Sequence, residues 1–449
     1  MKKYIVFLGF FISQIILSQS VTANLDKAVK SLLASSPMYS GSLSFYVAEE
    51  NGKLVYECQS QKGLSTASTM KIFTAAAALE TLGKNYTYTT KIAFDNNLYI
   101  SSNGDPSLGS TRFEGKKPED FLSQVISALK TKNISKIKGD IIMDDTCFDF
   151  QKTPGGWPYN DMGNYYGAGV WGVNWRENQF DINTFGKDFK SFNINVDELK
   201  IVNAVKVEGT SDKSIIYTSP YSNLVYVNGT LPEKEMKISG ATPNPPKQLA
   251  FELVEELKKE KIDFRGKIVI NSERIINGDN PLIFPLNKVI LEYKSPTLDQ
   301  LVSWFLKKSI NFYGETFVKT MAKEKTEKPT FDSGIKYLKK FWKEKGIDER
   351  MINFVDGSGL SPQNYASAKA EVLALLWAKK QPWFTEYYEG FPVMANNMKM
   401  KSGSIKDSRA FAGYHTSKAG KNYVFAIIMN NYQANDLSDA LYKVLNVLK

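Results

Sequence analysis

Histidine is nearly absent from this chain: His415 is the one such residue among 449. A Ser-His-Asp hydrolase would have to use it, and histidine-based metal centres are all but excluded. His415 follows the strand-like Ala410-Phe411-Ala412-Gly413-Tyr414, where a structural place is expected. Any acyl chemistry therefore needs a different base. Cysteine is scarce as well, with Cys58 and Cys147 alone. Two cysteines are not a disulfide framework, and neither sits in a nucleophile or metal-ligand motif. An oxidising compartment would permit them to pair, and both also suit ordinary strand or buried positions. No metal and no cofactor is expected.

Long apolar runs are missing beyond the first residues. Met1-Lys2-Lys3 and the mostly apolar Tyr4 to Leu17 read as an export signal over residues 1–23, with cleavage after Ser20 or Ala23. An uncleaved anchor is the alternative. No later segment holds about 18 consecutive apolar residues, so no stable membrane span is expected after signal cleavage. The protein should be periplasmic or otherwise exported. Net charge is +10, but basic and acidic residues are interleaved, as in Lys258 to Lys261. That pattern is a solvated surface rather than a nucleic-acid patch, and no nucleic-acid-binding motif occurs. The positive balance would favour an anionic partner such as a cell-wall polymer.

Hydrophobic residues make up 43% of the chain and aromatics 13%, enough for well-formed cores in two or three domains. Leu25 to Leu33 has helical spacing. Ser42–Glu49 and Lys53–Cys58 flank Asn51-Gly52, a strong hairpin signal. Met398–Met400, Ser408–Tyr414 and Tyr423–Met429 read as strands, and Leu437–Lys449 as a helix with one apolar face. The two ends together suit an antiparallel sheet covered by helices. Between them, about Tyr86 to Leu282, short strands alternate with turn clusters, interrupted by a helix over Pro118–Thr131. The fold class is therefore α+β. Residues 24–85 plus 283–449 form one domain, and 86–282 an inserted region of one or two small, mostly β domains. Gly167-Ala168-Gly169-Val170-Trp171-Gly172 fits G-x-G-x-x-G, but no strand precedes it and no helix follows, so a nucleotide site is rejected.

Ser68-Thr69-Met70-Lys71 opens a stretch that reads as a buried helix, Ala-rich through Ala75-Ala76-Ala77-Ala78 and stopped at Gly83. Residues three apart share a helical face, so Lys71 can reach the Ser68 hydroxyl and activate it as a base. The spacing alone is common: Ser127–Lys130, Ser135–Lys138 and Ser333–Lys336 repeat it. Its significance comes from two later pieces, Ser309-Ile310-Asn311 between helical stretches and Lys401-Ser402-Gly403 after a strand. In chain order these give Ser-x-x-Lys, Ser-x-Asn and Lys-Ser-Gly, the set used by class A β-lactamases and penicillin-binding proteins.

The chain resembles the class C penicillin-binding proteins, the D-alanyl-D-alanine carboxypeptidases/endopeptidases with a large insertion. Gly104-Asp105-Pro106-Ser107-Leu108, Asp161 through Tyr166-Gly167-Ala168, and Asp356-Gly357-Ser358-Gly359-Leu360-Ser361 extend the resemblance over nearly the whole mature chain. The resemblance implies a β-lactamase/transpeptidase-like domain and a serine DD-peptidase acting on the peptide stems of peptidoglycan. It also implies acylation by β-lactam antibiotics. Ser68 would be the nucleophile, Lys71 its base, and Ser309 the relay to the leaving nitrogen. Asn311 would bind the substrate amide, and Lys401 and Ser402 its carboxylate. Gly403 would let the backbone approach, and the backbone N–H groups of Ser68 and Ser404 would form the oxyanion hole. Ser402 replaces the usual Thr and keeps the hydroxyl. Ile310 replaces a common Asp, and Gly169 a usual Pro.

Two other readings stay open. A serine β-lactamase would need efficient water attack on the acyl-enzyme, and no clear E-x-x-L-N element supplies it. A wall-binding or antibiotic-sensing protein would keep the fold without turnover, against which stand the intact Lys71, Asn311 and Lys401.

Overall fold

The computed structural model describes residues 21–326 and 328–449. The first twenty positions of the expected export signal lie outside the described residues, and residues 21–33 form a helix. Among the described residues no helix is long and apolar enough to cross a membrane. The chain divides into two compact units: Met1–Glu80, Val302–Ser309 and Ile335–Lys449 make the first, Thr81–Leu301 and Ile310–Gly334 the second.

The first unit is built on a five-stranded antiparallel sheet in the order Lys399–Ile405, Ser408–Thr416, Asn422–Asn430, Ser42–Glu49, Leu54–Cys58. The two ends of the chain thus meet at the sheet's middle, where Phe45 pairs with Ile427. The Asn51-Gly52 turn joins the first two strands in sequence. Asn51 Oδ1 accepts from the Lys53 amide at 2.8 Å, and Gly52 takes φ +87°, a region glycine enters without a Cβ clash. Alternation splits the sheet into two faces. Phe45, Val47, Phe411, Phe425 and Ile427 point to one face and pack against Leu25 and Val29 of residues 21–33 and Leu441 and Leu445 of the helix Ser438–Leu445. The apolar stripe read at the C-terminus therefore covers the sheet. The opposite face carries the helix Ala368–Ala378, whose Ala368 amide donates to Ser44 Oγ at 3.1 Å.

The C-terminal edge strand is longer than Met398–Met400: it runs Lys399–Ile405, so Lys401-Ser402-Gly403 lies within it rather than after it. Lys, Ser and Gly are weak strand formers, but pairing with Ser408–Thr416 overrides propensity. Ser68 likewise stands in a 3-10 turn, Ala67–Met70, just before the α-helix Lys71–Leu82. That helix is buried over most of its length, and Gly83 follows it with φ +84°. Its Phe73 packs on Trp342 and Phe354 with ring centroids 5.4 and 5.0 Å away.

The second unit contains a mixed five-stranded sheet and two three-stranded sheets. The helices Pro118–Thr131 and Pro245–Lys259 share the core of the larger sheet through Phe121, Val125, Leu249 and Leu253. A second core, around Ile182, Val225 and Ile238, belongs to the smaller sheets. Cys58 and Cys147 are both free.

Phe425, fully buried on the sheet's central strand, is a test of the packing. Phe425→Ala should cost about 3–5 kcal/mol of stability, read by urea unfolding. A loss below about 1 kcal/mol would contradict a close-packed face.

Candidate active site

A lysine with no exposed surface organises the first unit. Lys71 follows directly on the turn Ala67–Met70, so its side chain reaches back over that turn. Its Nζ lies 2.9 Å from Ser68 Oγ and donates to the Ser358 carbonyl at 2.7 Å. The Phe305 ring, with its centroid 5.7 Å away, closes another side. A buried amine beside a serine hydroxyl is the geometry in which an amine can serve as general base.

Ser358 belongs to the turn Asp356-Gly357-Ser358-Gly359-Leu360-Ser361, to which sequence reasoning gave no role. The buried Asp356 carboxylate holds the turn by accepting from the amides of Gly359 and Ser361, each at 2.7 Å, and from Asn364 Nδ2 at 2.8 Å. Thr74 Oγ1 donates to the Gly357 carbonyl at 2.7 Å, tying the turn to the Ser68 helix. Gly359 has φ +84°, and a Cβ there would stand 1.9 Å from the Ala67 carbonyl oxygen. The signal available beforehand was D-G-S-G-L-S itself. The acting atom is a backbone carbonyl, which has no side-chain signature.

The strand Lys399–Ile405 brings the third motif to the same turn. A Cβ on Gly403 would lie 2.2 Å from the Thr66 carbonyl oxygen and 3.1 Å from the Ser68 amide nitrogen, so only glycine fits. Lys401 is 2% exposed, and its Nζ donates to the Ser402 carbonyl at 2.8 Å. Burial holds its ammonium well below the ordinary lysine range, and the neighbouring charges of Lys71 and Arg409 add to the effect. Ser402 is half-buried and Ser404 exposed on that strand.

Ser309 and Asn311 fall on either side of the division between the units. Ser309, with φ +59°, ends the first unit's segment after the helix Leu298–Lys308. Asn311 opens the second unit's helix Asn311–Lys325, and its Nδ2 donates to the Tyr166 carbonyl at 2.9 Å. Tyr166 in turn donates through its hydroxyl to Asp161 at 3.2 Å, so the asparagine of Ser309-Ile310-Asn311 is held by the Asp161–Ala168 segment. The structure thus gathers Ser68, Lys71, Lys401 and Gly403, keeps Ser309, Ser402 and Ser404 in their unit, and sets Asn311 in the other. His415 is a half-buried sheet residue opposite Tyr423. Among the described residues no group of three or more His, Cys, Asp or Glu side chains is arranged to hold a metal ion.

The family follows from comparison with known proteins. The sequence profile of the D-Ala-D-Ala carboxypeptidase 3 (S13) family matches residues 25–448. A D-alanyl-D-alanine carboxypeptidase of Actinomadura sp. (strain R39) is 24% identical over 88% of this chain and 79% of its own length. The D-alanyl-D-alanine carboxypeptidase DacB of Haemophilus influenzae is also 24% identical, over 96% of this chain and 93% of its own. The crystal structure of penicillin binding protein 4 (dacB) from Haemophilus influenzae superposes with a TM-score of 0.76. It is 22% identical, over 92% of this chain and 97% of that one. The same protein complexed with a β-lactam gives 0.70, over 94% and 97%. These superpositions establish the shared fold.

Replacing Gly403 with Ala should drive the strand away from the Ser68 turn. The rate at which fluorescent penicillin acylates the protein should fall on the order of 100-fold with circular dichroism unchanged. An unaltered rate would show that the close approach is not needed.

Proposed function

We propose, since the chain belongs to the D-Ala-D-Ala carboxypeptidase 3 (S13) family, that this serine DD-peptidase works through an acyl-enzyme on Ser68. Ser68 Oγ attacks the scissile carbonyl, and its proton passes to Lys71, which accepts it once its own amine has given up a proton. Lys71 then passes that proton through the Ser309 hydroxyl to the departing nitrogen, which leaves with the C-terminal D-residue. Water then attacks the acyl-enzyme ester and returns the serine. Asn311 hydrogen-bonds the substrate amide, and Lys401 with the Ser402 hydroxyl receives its carboxylate. The amides of Ser68 and Ser404 stabilise the tetrahedral oxyanion, at about 3–4 kcal/mol per donor. The observation that carries this reading is the buried Lys71 Nζ, 2.9 Å from Ser68 Oγ and held from behind by the Ser358 carbonyl.

The substrate we assign is the D-Ala-D-Ala end, or the D-amino-acid cross-links, of peptidoglycan peptide stems, with β-lactams as covalent inhibitors. The relatives' printed names, carboxypeptidase and penicillin binding protein, support both assignments. A periplasmic or otherwise exported location is supported by the signal-like residues 1–23 and by a substrate that lies outside the cytoplasm. We also keep residues 24–85 and 283–449 as the peptidase domain, with 86–282 inserted. In support, segments from both ends of the chain build one unit, and the inserted residues lie in the other; residues 283–301 and Ile310–Gly334 also fall in that other unit.

Ser68→Ala should abolish both fluorescent-penicillin labelling and release of D-Ala from a pentapeptide stem. Labelling that survives the substitution would remove Ser68 as nucleophile. Nitrocefin separates the peptidase from the β-lactamase reading: a slow, stoichiometric adduct is expected, whereas rapid catalytic hydrolysis would overturn the assignment.

A further inference from the structure

A fully buried carboxyl group lies under the nucleophile turn and has no place in the mechanism above. Glu371 sits in the first turn of the helix Ala368–Ala378, and its Oε1 is 2.5 Å from Thr69 Oγ1, the side chain next to Ser68. Thr69 Oγ1 is also 2.9 Å from the Thr66 carbonyl oxygen. A hydroxyl has one proton, and a carbonyl oxygen can only accept. Both short contacts are full two-centre hydrogen bonds only if Thr69 donates to Thr66 and the carboxyl donates to Thr69. The other carboxyl oxygen, Oε2, is buried with no hydrogen-bond partner, and among the described residues Glu371 forms no ion pair. A carboxylate left in that state would be costly, while a neutral acid tolerates it.

We propose that Glu371 is a positioning residue for the reaction at Ser68: as a neutral carboxylic acid it donates to Thr69, and Thr69 then fixes the Thr66 carbonyl beneath Gly403. The Thr66 carbonyl is the atom against which Gly403 packs, and the Ser68 amide lies beside the same contact. Holding Thr66 therefore holds both the nucleophile and the backbone donor assigned to the oxyanion. This inference rests on the acyl-enzyme reading and deepens it.

The surroundings favour the neutral form. Ser44 faces the helix, so Tyr46, two residues on, shares that face of the sheet. Tyr414 donates its hydroxyl to the Leu375 carbonyl, and Tyr387 donates to the Ile72 carbonyl. Lys369 is on Glu371's own helix, Lys379 caps its C-terminal end and pairs with Glu50, and Lys71 is engaged by Ser68 and Ser358. No cation among these pairs with Glu371. Burial pushes its carboxyl up to about 8, opposed by the hydrogen bond that an ionised carboxylate would accept from Thr69. Loss of the proton above that pH turns the donor into an acceptor and leaves Thr69 with two acceptors for one proton.

The test is the second-order rate of penicillin acylation, followed from about pH 6 to about pH 10, the window between the free carboxyl and free phenol ranges. Glu371→Leu should lower the rate on the order of tenfold at neutral pH through misplacement of the turn. Glu371→Gln, whose amide N–H₂ still donates to Thr69, should restore most of that rate. It should also lack the decline that the parent shows around pH 8. A decline that persists in E371Q, or a parent profile flat through that range, overturns the proposal. Neither result touches Ser68, whose role is decided separately by S68A labelling. A second readout needs no variant. With 13C-labelled glutamate, one side-chain carboxyl of the parent should titrate near pH 8; if every glutamate titrates in the acid range, the inference fails. The native state keeps a proton that the unfolded chain releases, so the parent's thermal midpoint should fall as pH rises from the free carboxyl range toward about 8.

Discussion

An amine without solvent must find its partners in the protein, and those of Lys71 include the Ser68 hydroxyl in front and the Ser358 carbonyl behind. Much of the first unit is arranged to keep those two points at a fixed separation. The Lys71–Leu82 helix supplies the amine, and its small Ala75–Ala78 segment lets neighbours approach closely. The carbonyl comes from a turn more than 280 residues later in the chain, locked by Asp356 and by the Thr74–Gly357 hydrogen bond. A carbonyl anchor fixes position without supplying a formal charge. It can steady the amine and still leave it able to give up a proton, which a carboxylate partner would oppose.

The same economy appears where backbone meets backbone. Gly359 and Gly403 lie against the carbonyls of Ala67 and Thr66, neighbours in one turn. Each contact excludes a side chain outright, so the Ser68 turn is clamped between a loop and a strand by main-chain atoms. Main-chain clamps are insensitive to rotamer choice. A nucleophile held in this way loses little orientational freedom on meeting its substrate, and pre-paid orientation is a large part of catalysis by such sites. Glu371 works on the third side, through Thr69, where a side-chain proton replaces steric contact.

The parts of this architecture written in side-chain pattern were legible in the sequence. The Asn51-Gly52 hairpin, the helix Pro118–Thr131 and the apolar stripe of Leu441, Val444 and Leu445 all come from local rules of turn chemistry and periodicity. Ser68 and Lys71 were legible because helical spacing and chemistry agree. What escaped depends on atoms or neighbours that sequence does not display. The Ser358 carbonyl belongs to no residue type in particular. Glu371 looks like any helical glutamate until its burial is known, since its helix carries almost no polar face to betray which side is covered. The Lys401 strand was read too short because local propensity stops at Met400, whereas pairing with Ser408–Thr416 carries it to Ile405.

Two lysines on one small site create an electrostatic constraint that bears on ligand choice. Burial and the charges of Lys71 and Arg409 hold Lys401 well below its ordinary range, yet the proposed role asks it to meet a carboxylate as an ammonium. The two statements are compatible if the ligand brings the missing negative charge. An anion at hydrogen-bond distance raises the proton affinity of a buried amine, so binding and proton uptake become one event. A substrate with a free C-terminal carboxylate supplies that charge, and so does a β-lactam's ring carboxylate. A stem whose terminus is amidated does not, and it would leave Lys401 either neutral or as an unpaired buried charge. Preference for a free terminus then follows from the cost of charging Lys401 as much as from the attraction itself, a form of selectivity in which the wrong ligand leaves the penalty uncompensated.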